Sequence, residues 1–348
     1  MVKVFLGLAG RIVARGWRAQ LTGELGAHRV VILDGRFGDV SLERALLEAH
    51  GCAVAKASCR SEENVLEAIR DCDAALVQSA PVTARVFRDT PRLKLVSCYG
   101  TGVDNVDLDA ARGAGAWVCN VRDYATEEVA VHAAALMLAV VRALPASARA
   151  VAAGEWQHRA GGSVRRLSTL TLSLIGCGRI GRAVSRDVGH LFRNVIGFDP
   201  QIPASQWPEG IERVDLDSAF RRGDVVSLHL PLTSETRGMV SRDLLARLPS
   251  GAVVINTARG GLLDLVALSE LIDSGRIRGA GLDVLPSEPP TAAELALVRQ
   301  PNVIVTPHAA WFSEESERDL RRLAVENITS WLTTGAPHTW AVQGRSTP

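Results

Sequence analysis

The chain has 348 residues, with 39 basic and 38 acidic side chains, a net charge of +1 and 47% hydrophobic residues. A chain of this length is longer than a domain with a single hydrophobic core normally is, so we expect two packed domains with a cleft between them. The near-neutral charge argues against nucleic acid as a partner, because phosphate backbones are normally bound by a strongly basic face.

Residues 1–29 are rich in arginine and contain a single acid, Glu24, and they predict an N-terminal extension of unclear role. From residue 30 onward, short β-branched runs alternate with amphipathic helical patterns, which is typical of βαβ units and a parallel sheet. The first series of predicted strands covers residues 30–33, 53–57, 74–77, 93–97 and 117–121. This series predicts one compact α/β domain.

The next predicted element is an apolar helix over residues 126–144, which stops at Pro145. Because apolar residues occupy all its faces, we expect it to be buried on every side, as a connector between domains or as an oligomer interface. Its longest apolar run, residues 129–141, is shorter than the roughly 20 residues that cross a bilayer, so no membrane partner is expected.

A second α/β series follows a polar, glycine-containing stretch. Its predicted strands cover residues 170–176, 195–199, 225–230, 252–257, 278–284 and 303–307. A last helical pattern, residues 314–332, is expected to pack back on the first domain. Six cysteines lie in apolar segments without a Cys-x-x-Cys pair, which indicates reduced, buried thiols, a cytoplasmic location and no metal site.

The glycine-rich turn at residues 176–181 stands between a predicted strand and a predicted helix. In that setting the glycines allow a tight turn and close approach of the backbone to a pyrophosphate that faces the helix N-terminus. Asp199 closes the next strand, where a carboxylate accepts a hydrogen bond from the adenosine ribose and repels a 2′-phosphate. Pro200 and Gln201 follow it instead of arginine, so the pattern predicts NAD in preference to NADP. A strand-end turn residue is the alternative interpretation of Asp199.

Further reactive side chains follow strands of the second series, at the edge where open parallel sheets bind ligands. Arg259 has the planar guanidinium that binds a carboxylate with two hydrogen bonds. His308 can carry a proton near neutral pH, and Glu288 would orient the ring and favour its protonated form if their loops meet. Together these groups suit hydride transfer at C2 of a 2-hydroxy acid, although singly each has a structural alternative. Asp283 either accepts from a nicotinamide carboxamide or caps a loop, and His229 is expected to pack beside the cofactor.

These segments together resemble the D-isomer-specific 2-hydroxyacid dehydrogenase family, from about Val30 to Leu332. The matching stretches are residues 99–107, 176–181, 229–238, 256–261, 281–290 and 306–311. The last stretch, Thr-Pro-His-Ala-Ala-Trp, is similar to the branch that includes the C-terminal-binding-protein corepressors.

The resemblance implies a Rossmann doubly wound parallel sheet, residues 126–308, inserted into a discontinuous flavodoxin-like substrate domain. That substrate domain would comprise residues 30–125 and 309–336, followed by a flexible tail at 337–348. A homodimer formed through the Rossmann domain is also implied.

The resemblance assigns a catalytic set of Arg259, Glu288 and His308. It places the substrate at Gly100, Thr101, Gly102, Val103, Arg259 and Trp311. It places NAD at Thr101, Gly176, Cys177, Gly178, Arg179, Ile180, Gly181, Asp199, Leu230, Pro231, Thr236, Thr257, Ala258, Arg259, Asp283 and His308. In the corepressor branch the position of Trp311 lies in the substrate pocket, so a hydrophobic or aromatic substrate side chain is expected.

One departure concerns Cys98, which stands where many relatives carry an arginine. The missing cation argues against a phosphoglycerate substrate. The predicted function is NAD-dependent hydride transfer to a small 2-oxo acid or from a 2-hydroxy acid, with an NAD-sensing regulatory or corepressor-like protein on the same fold as the alternative. Formate oxidation is disfavoured because Glu288 is present. The substrate, the direction in the cell and the pathway stay open.

Overall fold

The computed structural model describes residues 28–34 and 37–345. Two compact units form, one from the described parts of Met1–Tyr124 and Glu314–Pro348, the other from Ala125–Ser313. The predicted N-terminal extension lies outside the described residues, apart from His28 and Arg29, and Arg29 already belongs to the first strand.

The first unit contains a five-stranded parallel sheet in the order β2-β1-β3-β4-β5. Its strands are β1 Arg29–Leu33, β2 Ala53–Ala57, β3 Ala74–Val77, β4 Leu95–Cys98 and β5 Trp117–Cys119, and the helices between them are α1 Ser41–Glu48, α2 Glu62–Ile69, α3 Ala84–Asp89 and α4 Leu108–Ala114. This strand order is that of flavodoxin-like sheets. Residues 30–33 are fully buried, as expected for a parallel strand covered on both faces.

The second unit contains a seven-stranded parallel sheet in the order β12-β11-β10-β9-β6-β7-β8. Its helices begin with α5 Thr126–Val141 and α6 Leu144–Ala152. The remaining elements are β6 Thr171–Ile175, α7 Arg179–Val188, β7 Asn194–Phe198, β8 Glu212–Arg213, α8 Leu216–Arg222, β9 Val225–Leu228, α9 Arg242–Arg247, β10 Ala252–Asn256, α10 Leu265–Asp273, β11 Ile277–Leu282, α11 Glu294–Val298 and β12 Val303–Val305. This strand order is that of dinucleotide-binding sheets. Strands β7 and β8 are added on one side of β6 and strands β9 to β12 on the other, so the point where the strand order reverses lies between β6 and β9.

Helix α5 packs against α7, β10 and β11. Its opposite face is open: Val131 is 54% exposed and Ala135 is also exposed. The prediction of burial on every side is therefore wrong for the single chain, because only one face of the helix meets the sheet. Among the described residues no single helix passes a length and hydropathy test for a membrane span, and α5 and α6 pass it only as a pair bent by 58°.

The last helix, α12 Glu314–Thr334, belongs to the first unit and packs against α1, β3 and β4. On α12, Arg321 forms an ion pair of 2.7 Å with Glu43, whose side chain is fully buried. Tyr99 also donates to this carboxylate, at 3.2 Å. A buried carboxylate is tolerated only with such partners, so the pair links α12 to α1 specifically.

The segment after α12 is ordered as part of the first unit. Val342 is 2% exposed and pairs with Val118 in an antiparallel bridge. Farther on, the N–H of Arg345 donates to the carbonyl of Gly115 at 2.9 Å. The prediction of a flexible tail from residue 337 is therefore wrong for residues 337–345, because apolar side chains at the end of the chain extend the core beside β5.

Candidate active site

The predicted reactive residues of the second unit all follow the carboxyl ends of its strands. Along the sheet, His308 follows β12, Glu288 follows β11, Arg259 follows β10, the glycine turn follows β6 and Asp199 follows β7. Neighbouring strands lie about 4.8 Å apart, so the edge from β7 to β12 spans roughly 24 Å. One edge of one sheet thus carries every predicted reactive group of this unit.

The glycine turn has the geometry that a dinucleotide requires. Gly176 has a φ of 101°, and a Cβ atom there would lie 2.7 Å from the backbone of His229. A Cβ on Gly181 would lie 2.2 Å from the carbonyl oxygen of Gly176, so helix and strand approach too closely for any side chain. A Cβ on Gly178 would meet nothing within 4 Å. The first and third glycines therefore serve packing, whereas the second faces open space where a phosphate can approach.

Asp199 is 8% exposed and is held by the same turn. Its Oδ2 accepts from the N–H of Cys177 and its Oδ1 accepts from the N–H of Gln201, each at 2.9 Å. These bonds fix the carboxylate at the end of β7. Each oxygen keeps a second lone pair for a ribose hydroxyl.

Arg259 lies in a short loop that a buried asparagine shapes. Asn256, at the end of β10, accepts from the N–H of Ala258 and donates to the carbonyl of Arg259, both at 3.0 Å. Gly260 then passes so close to Leu285 that a Cβ would lie 2.0 Å from its carbonyl carbon. The loops after β10 and β11 therefore touch through backbone, and this contact sets the position of Arg259.

The predicted contact between imidazole and carboxylate is present. His308 Nδ1 lies 2.8 Å from Glu288 Oε2, and both side chains are 37% exposed. Because an ionised carboxylate can only accept, Nδ1 carries the proton and Nε2 is left for another molecule. His308 has a φ of 54°, a left-handed conformation that is costly for a residue with a side chain and that recurs at functional sites.

Asp283 holds the loop that carries His308. Its carboxylate is 1% exposed and accepts from the hydroxyl of Thr306 at 2.5 Å and from the N–H groups of Ala309 at 2.8 Å and Ala310 at 2.9 Å. Its carbonyl oxygen also accepts from the N–H of His308 at 2.8 Å. The structure thus gives Asp283 the loop-capping role that was the alternative to a carboxamide contact.

A second histidine supports the same loop. His132 Nε2 lies 2.9 Å from the hydroxyl of Thr306, and since that hydroxyl donates to Asp283, His132 is the donor. Sequence reasoning missed this residue. The sequence feature that could have indicated it is a histidine within the otherwise apolar run of residues 129–141.

His229 and Thr257 carry polar atoms that are buried beside these loops without a partner. Among the described residues, neither ring nitrogen of His229 nor the hydroxyl of Thr257 has a hydrogen bond. Burial lowers the pKa of His229 to about 4, so its ring is neutral at pH 7. The unsatisfied hydroxyl of Thr257 and the open space at Gly178 fit a bound dinucleotide, which would supply the missing polar partner.

The other predicted contact residues lie in loops at the same edge. Leu230 and Pro231 follow β9, and the hydroxyl of Thr236 donates to the carbonyl of Pro231 at 2.7 Å, which closes their turn. Trp311 donates from Nε1 to the carbonyl of His308 at 3.0 Å. Arg179 and Ile180 open helix α7 directly after the glycine turn.

The predicted substrate loop of the first unit, Gly100–Val103, follows β4. Its shape is set by β5 and the residues after it: Asn120 donates to the carbonyl of Thr101 at 2.9 Å, and the hydroxyl of Thr101 donates to the carbonyl of Val121 at 3.0 Å. Within the part of the chain that the structure describes, the N–H groups of Thr101, Gly102 and Val103 have no acceptor. Three consecutive free amides form an arrangement suited to an anion.

Comparison with known proteins identifies the family of this chain. Residues 134–310 match the family model for the D-isomer-specific 2-hydroxyacid dehydrogenase NAD-binding domain. The chain belongs to the D-isomer-specific 2-hydroxyacid dehydrogenase family. The predictions of the family, of the Rossmann-type parallel fold and of NAD as cofactor are thereby confirmed.

Several members of this family are similar over most of the chain. The D-3-phosphoglycerate dehydrogenase of Mycobacterium tuberculosis is 38% identical over 257 residues, 73% of this chain and 48% of that protein. The glycerate dehydrogenase of Methylorubrum extorquens is 34% identical over 278 residues, 78% of this chain and 86% of that protein. The structure of Aquifex aeolicus D-lactate dehydrogenase, complexed with NAD and lactic acid, superposes with a TM-score of 0.81 at 27% identity, covering 87% of this chain and 95% of that one. The chain thus spans about half the length of the phosphoglycerate dehydrogenases that it matches.

Proposed function

We propose that this chain is an NAD-dependent D-2-hydroxyacid dehydrogenase that reduces a small 2-oxo acid at C2 and oxidises the corresponding 2-hydroxy acid. The observation that carries the proposal is the 2.8 Å pair between His308 and Glu288. It follows β12 and β11, and Arg259 follows the adjacent strand β10. A proton carrier, its orienting carboxylate and a cation for the substrate therefore follow three neighbouring strands.

His308 is the acid and base of this proposal. Nδ1 is tied to Glu288, so Nε2 is the atom that donates a proton to the carbonyl oxygen during reduction and accepts one from the hydroxyl during oxidation. Glu288 orients the ring and stabilises the imidazolium. NADH, when bound, supplies the hydride.

The substrate carboxylate is the proposed ligand of Arg259, whose guanidinium can bind it with two hydrogen bonds and polarise the neighbouring carbonyl. Within the loop Gly100–Val103, the free amides of Thr101, Gly102 and Val103 are proposed as further donors to the substrate, whereas the N–H of Gly100 already donates to the carbonyl of Cys98 at 3.0 Å. Trp311 is proposed to contact the substrate side chain, which favours a hydrophobic or aromatic group. Cys98 is 1% exposed, and burial raises its pKa to about 12, so this thiol stays neutral and offers no charge to a phosphate.

The cofactor contacts are likewise a proposal. The amides at the start of α7 would receive the pyrophosphate, and Asp199 the adenosine ribose. The loop segments after β9 and β10 would line the nicotinamide. The predicted contacts of Thr101 and Asp283 with the cofactor belong to the same proposal, although the carboxylate of Asp283 is largely used by its own loop.

A homodimer through the second unit and a cytoplasmic location complete the proposal. Exposed apolar side chains cluster in sequence on α5, α6 and the segment that follows: Val131 is 54%, Leu144 56%, Val151 50% and Trp156 87% exposed. Association would bury them. The six cysteines are all free and buried, which is typical of a reducing compartment.

The decisive experiment measures NADH oxidation with a panel of 2-oxo acids: pyruvate, glyoxylate, hydroxypyruvate, 3-phosphohydroxypyruvate and phenylpyruvate. His308→Asn is the test variant, because asparagine tolerates the left-handed backbone, and His190→Asn, at an exposed site, is the control. We expect turnover of at least one acid, a loss in kcat of about 100-fold or more in His308→Asn, and NADH binding within threefold of wild type.

Two outcomes would contradict the proposal. Full activity of His308→Asn would show that the proton carrier is misassigned. Tight NADH binding without turnover of any acid would favour the alternative, an NAD-sensing regulatory protein on the same fold.

A further inference from the structure

The cavity beside Asp199 contains a cation that the sequence pattern around this aspartate does not reveal. It has a volume of about 510 Å³ and is lined by Phe198, Asp199, Pro200, Arg213, Val214, Asp215 and Ser218. Arg213 lies on β8, the short strand that sequence analysis did not predict. The arginine is 14 positions beyond Asp199 in sequence, yet both line one cavity.

Strand register explains why the two side chains meet. Arg213 pairs with Gly197 on β7, and Asp199 lies two residues after Gly197. Side chains two positions apart point to the same face of a strand and are separated by about 7 Å along it. With a strand spacing of about 4.8 Å, the Cα atoms of Arg213 and Asp199 are expected roughly 8 Å apart, within reach of an arginine side chain.

Arg213 has no carboxylate partner among the described residues. Its guanidinium carbon lies 5.1 Å from the ring centre of Trp207, a cation–π contact that leaves its N–H donors unused. The adjacent Glu212 is paired with Arg222 at 2.7 Å. Asp215, the other carboxylate of the cavity, accepts from the N–H of Ser218 at 2.7 Å as a helix cap.

We propose that Arg213 is a second determinant of cofactor choice, which provides a binding site for the 2′-phosphate of NADP that the negative charge of Asp199 suppresses. This rests on the proposed role of Asp199 at the adenosine ribose. A guanidinium binds a phosphate dianion through two parallel hydrogen bonds, whereas a carboxylate at the ribose repels it. The two residues therefore act in opposite directions on the same group, and NAD is favoured in the wild-type chain because the carboxylate of Asp199 is buried whereas the side chain of Arg213 is exposed and its charge is screened by solvent.

The proposal differs from the expectation drawn from the sequence. There, the absence of an arginine directly after Asp199 indicated that the site has no cation for a 2′-phosphate. With Arg213 on the wall of the cavity, removal of one negative charge is sufficient to admit NADP, and no arginine has to be introduced. Arg213 is thus a specificity residue for the dinucleotide and takes no part in proton or hydride transfer.

The test is a double-mutant cycle with Asp199→Asn, Arg213→Gln and the double variant, and Arg222→Gln as a control that removes a neighbouring arginine outside the cavity lining. Asparagine removes the charge of Asp199 and keeps one acceptor for the N–H of Cys177. Dissociation constants for NADH and NADPH are measured by fluorescence titration without substrate, so the result is independent of turnover. Thermal midpoints establish that each variant is folded.

We expect Asp199→Asn to bind NADPH about tenfold or more tightly than wild type, since the phosphate then meets the guanidinium of Arg213 without the repulsion of the Asp199 carboxylate. The double variant should lose most of that gain, and Arg222→Gln should not change the ratio of the two constants. Higher salt should weaken NADPH binding to Asp199→Asn more than NADH binding to wild type.

Equal NADPH affinity of Asp199→Asn with and without Arg213→Gln would overturn the proposal. If Asp199→Asn does not fold, Asp199→Ser takes its place in the cycle, because the serine hydroxyl can still accept from the N–H of Cys177. In that background Arg213→Gln should cost at least fivefold in NADPH affinity, with NADH within threefold. Equal losses for both dinucleotides would show that Arg213 only stacks on the adenine, and would also overturn it. If no 2-oxo acid of the panel is turned over, these binding constants can still be interpreted, because they are measured without substrate.

Discussion

Replacement of Glu288 by glutamine removes the charge beside His308 and keeps the shape of the side chain. A hydrogen bond to a charged partner contributes ~1.5–3 kcal/mol. Because both side chains are 37% exposed, solvent screening reduces this to about 1–2 kcal/mol. At about 1.4 kcal/mol per factor of ten, we expect kcat for reduction of the best 2-oxo acid to fall about 5- to 30-fold.

The assay is steady-state NADH oxidation with saturating substrate, accompanied by direct titration of NADH. NADH affinity should stay within threefold, because Glu288 is assigned to the imidazole and not to the cofactor. Glu270→Gln is the matched control: its ion pair with Arg242 is more than half exposed on both sides, so kcat should change less than twofold. A kcat for Glu288→Gln equal to that of the control would refute the reasoning that the carboxylate stabilises the charged ring.

Three further predictions concern stability and cofactor binding. The pKa of His229 is lowered to about 4 from 6.5. Between these two pH values the unfolded state binds more protons than the folded state, so the free energy of unfolding decreases as the pH is lowered. Urea titrations at pH 7.5 and 5.0 should show that His229→Leu removes about 2 kcal/mol of that loss, and an unchanged pH dependence would contradict the assigned burial. Gly178→Ala should leave the thermal midpoint of the free protein nearly unchanged and weaken NADH binding at least tenfold, whereas Gly181→Ala should destabilise the fold itself; the same loss of stability in both would argue against a ligand at Gly178. Glu43→Gln should lower the free energy of unfolding by about 3 kcal/mol, because it removes the closer and fully buried counter-charge of Arg321 and leaves only the longer pair with Glu317 at 3.5 Å. A change below about 1 kcal/mol would show that the pair is solvated.

Local patterns predicted most of the fold. Every predicted strand is present within a few residues, because parallel strands buried on both faces are continuous β-branched and apolar runs. Strand β8 escaped prediction since it consists of Glu212 and Arg213, whose polar side chains carry no strand pattern. The buried face of α5 was predicted, but its open face was not. The helix is apolar on all sides, so its sequence does not indicate which face packs against the sheet.

The sequence by itself determined the order of strands and helices and the glycine turn, and it indicated Arg259, Glu288 and His308 as candidates, since these depend on short-range spacing and on the chemistry of single side chains. Only the tertiary structure decided which of these groups meet. The contact of His308 with Glu288, the anchoring of its loop by Asp283 and His132, and the presence of Arg213 beside Asp199 all join residues from different elements, namely loops after different strands, strand β8 and helix α5. Their proximity follows from strand order and register in the parallel sheet and from the packing of α5 against it, which no local segment encodes.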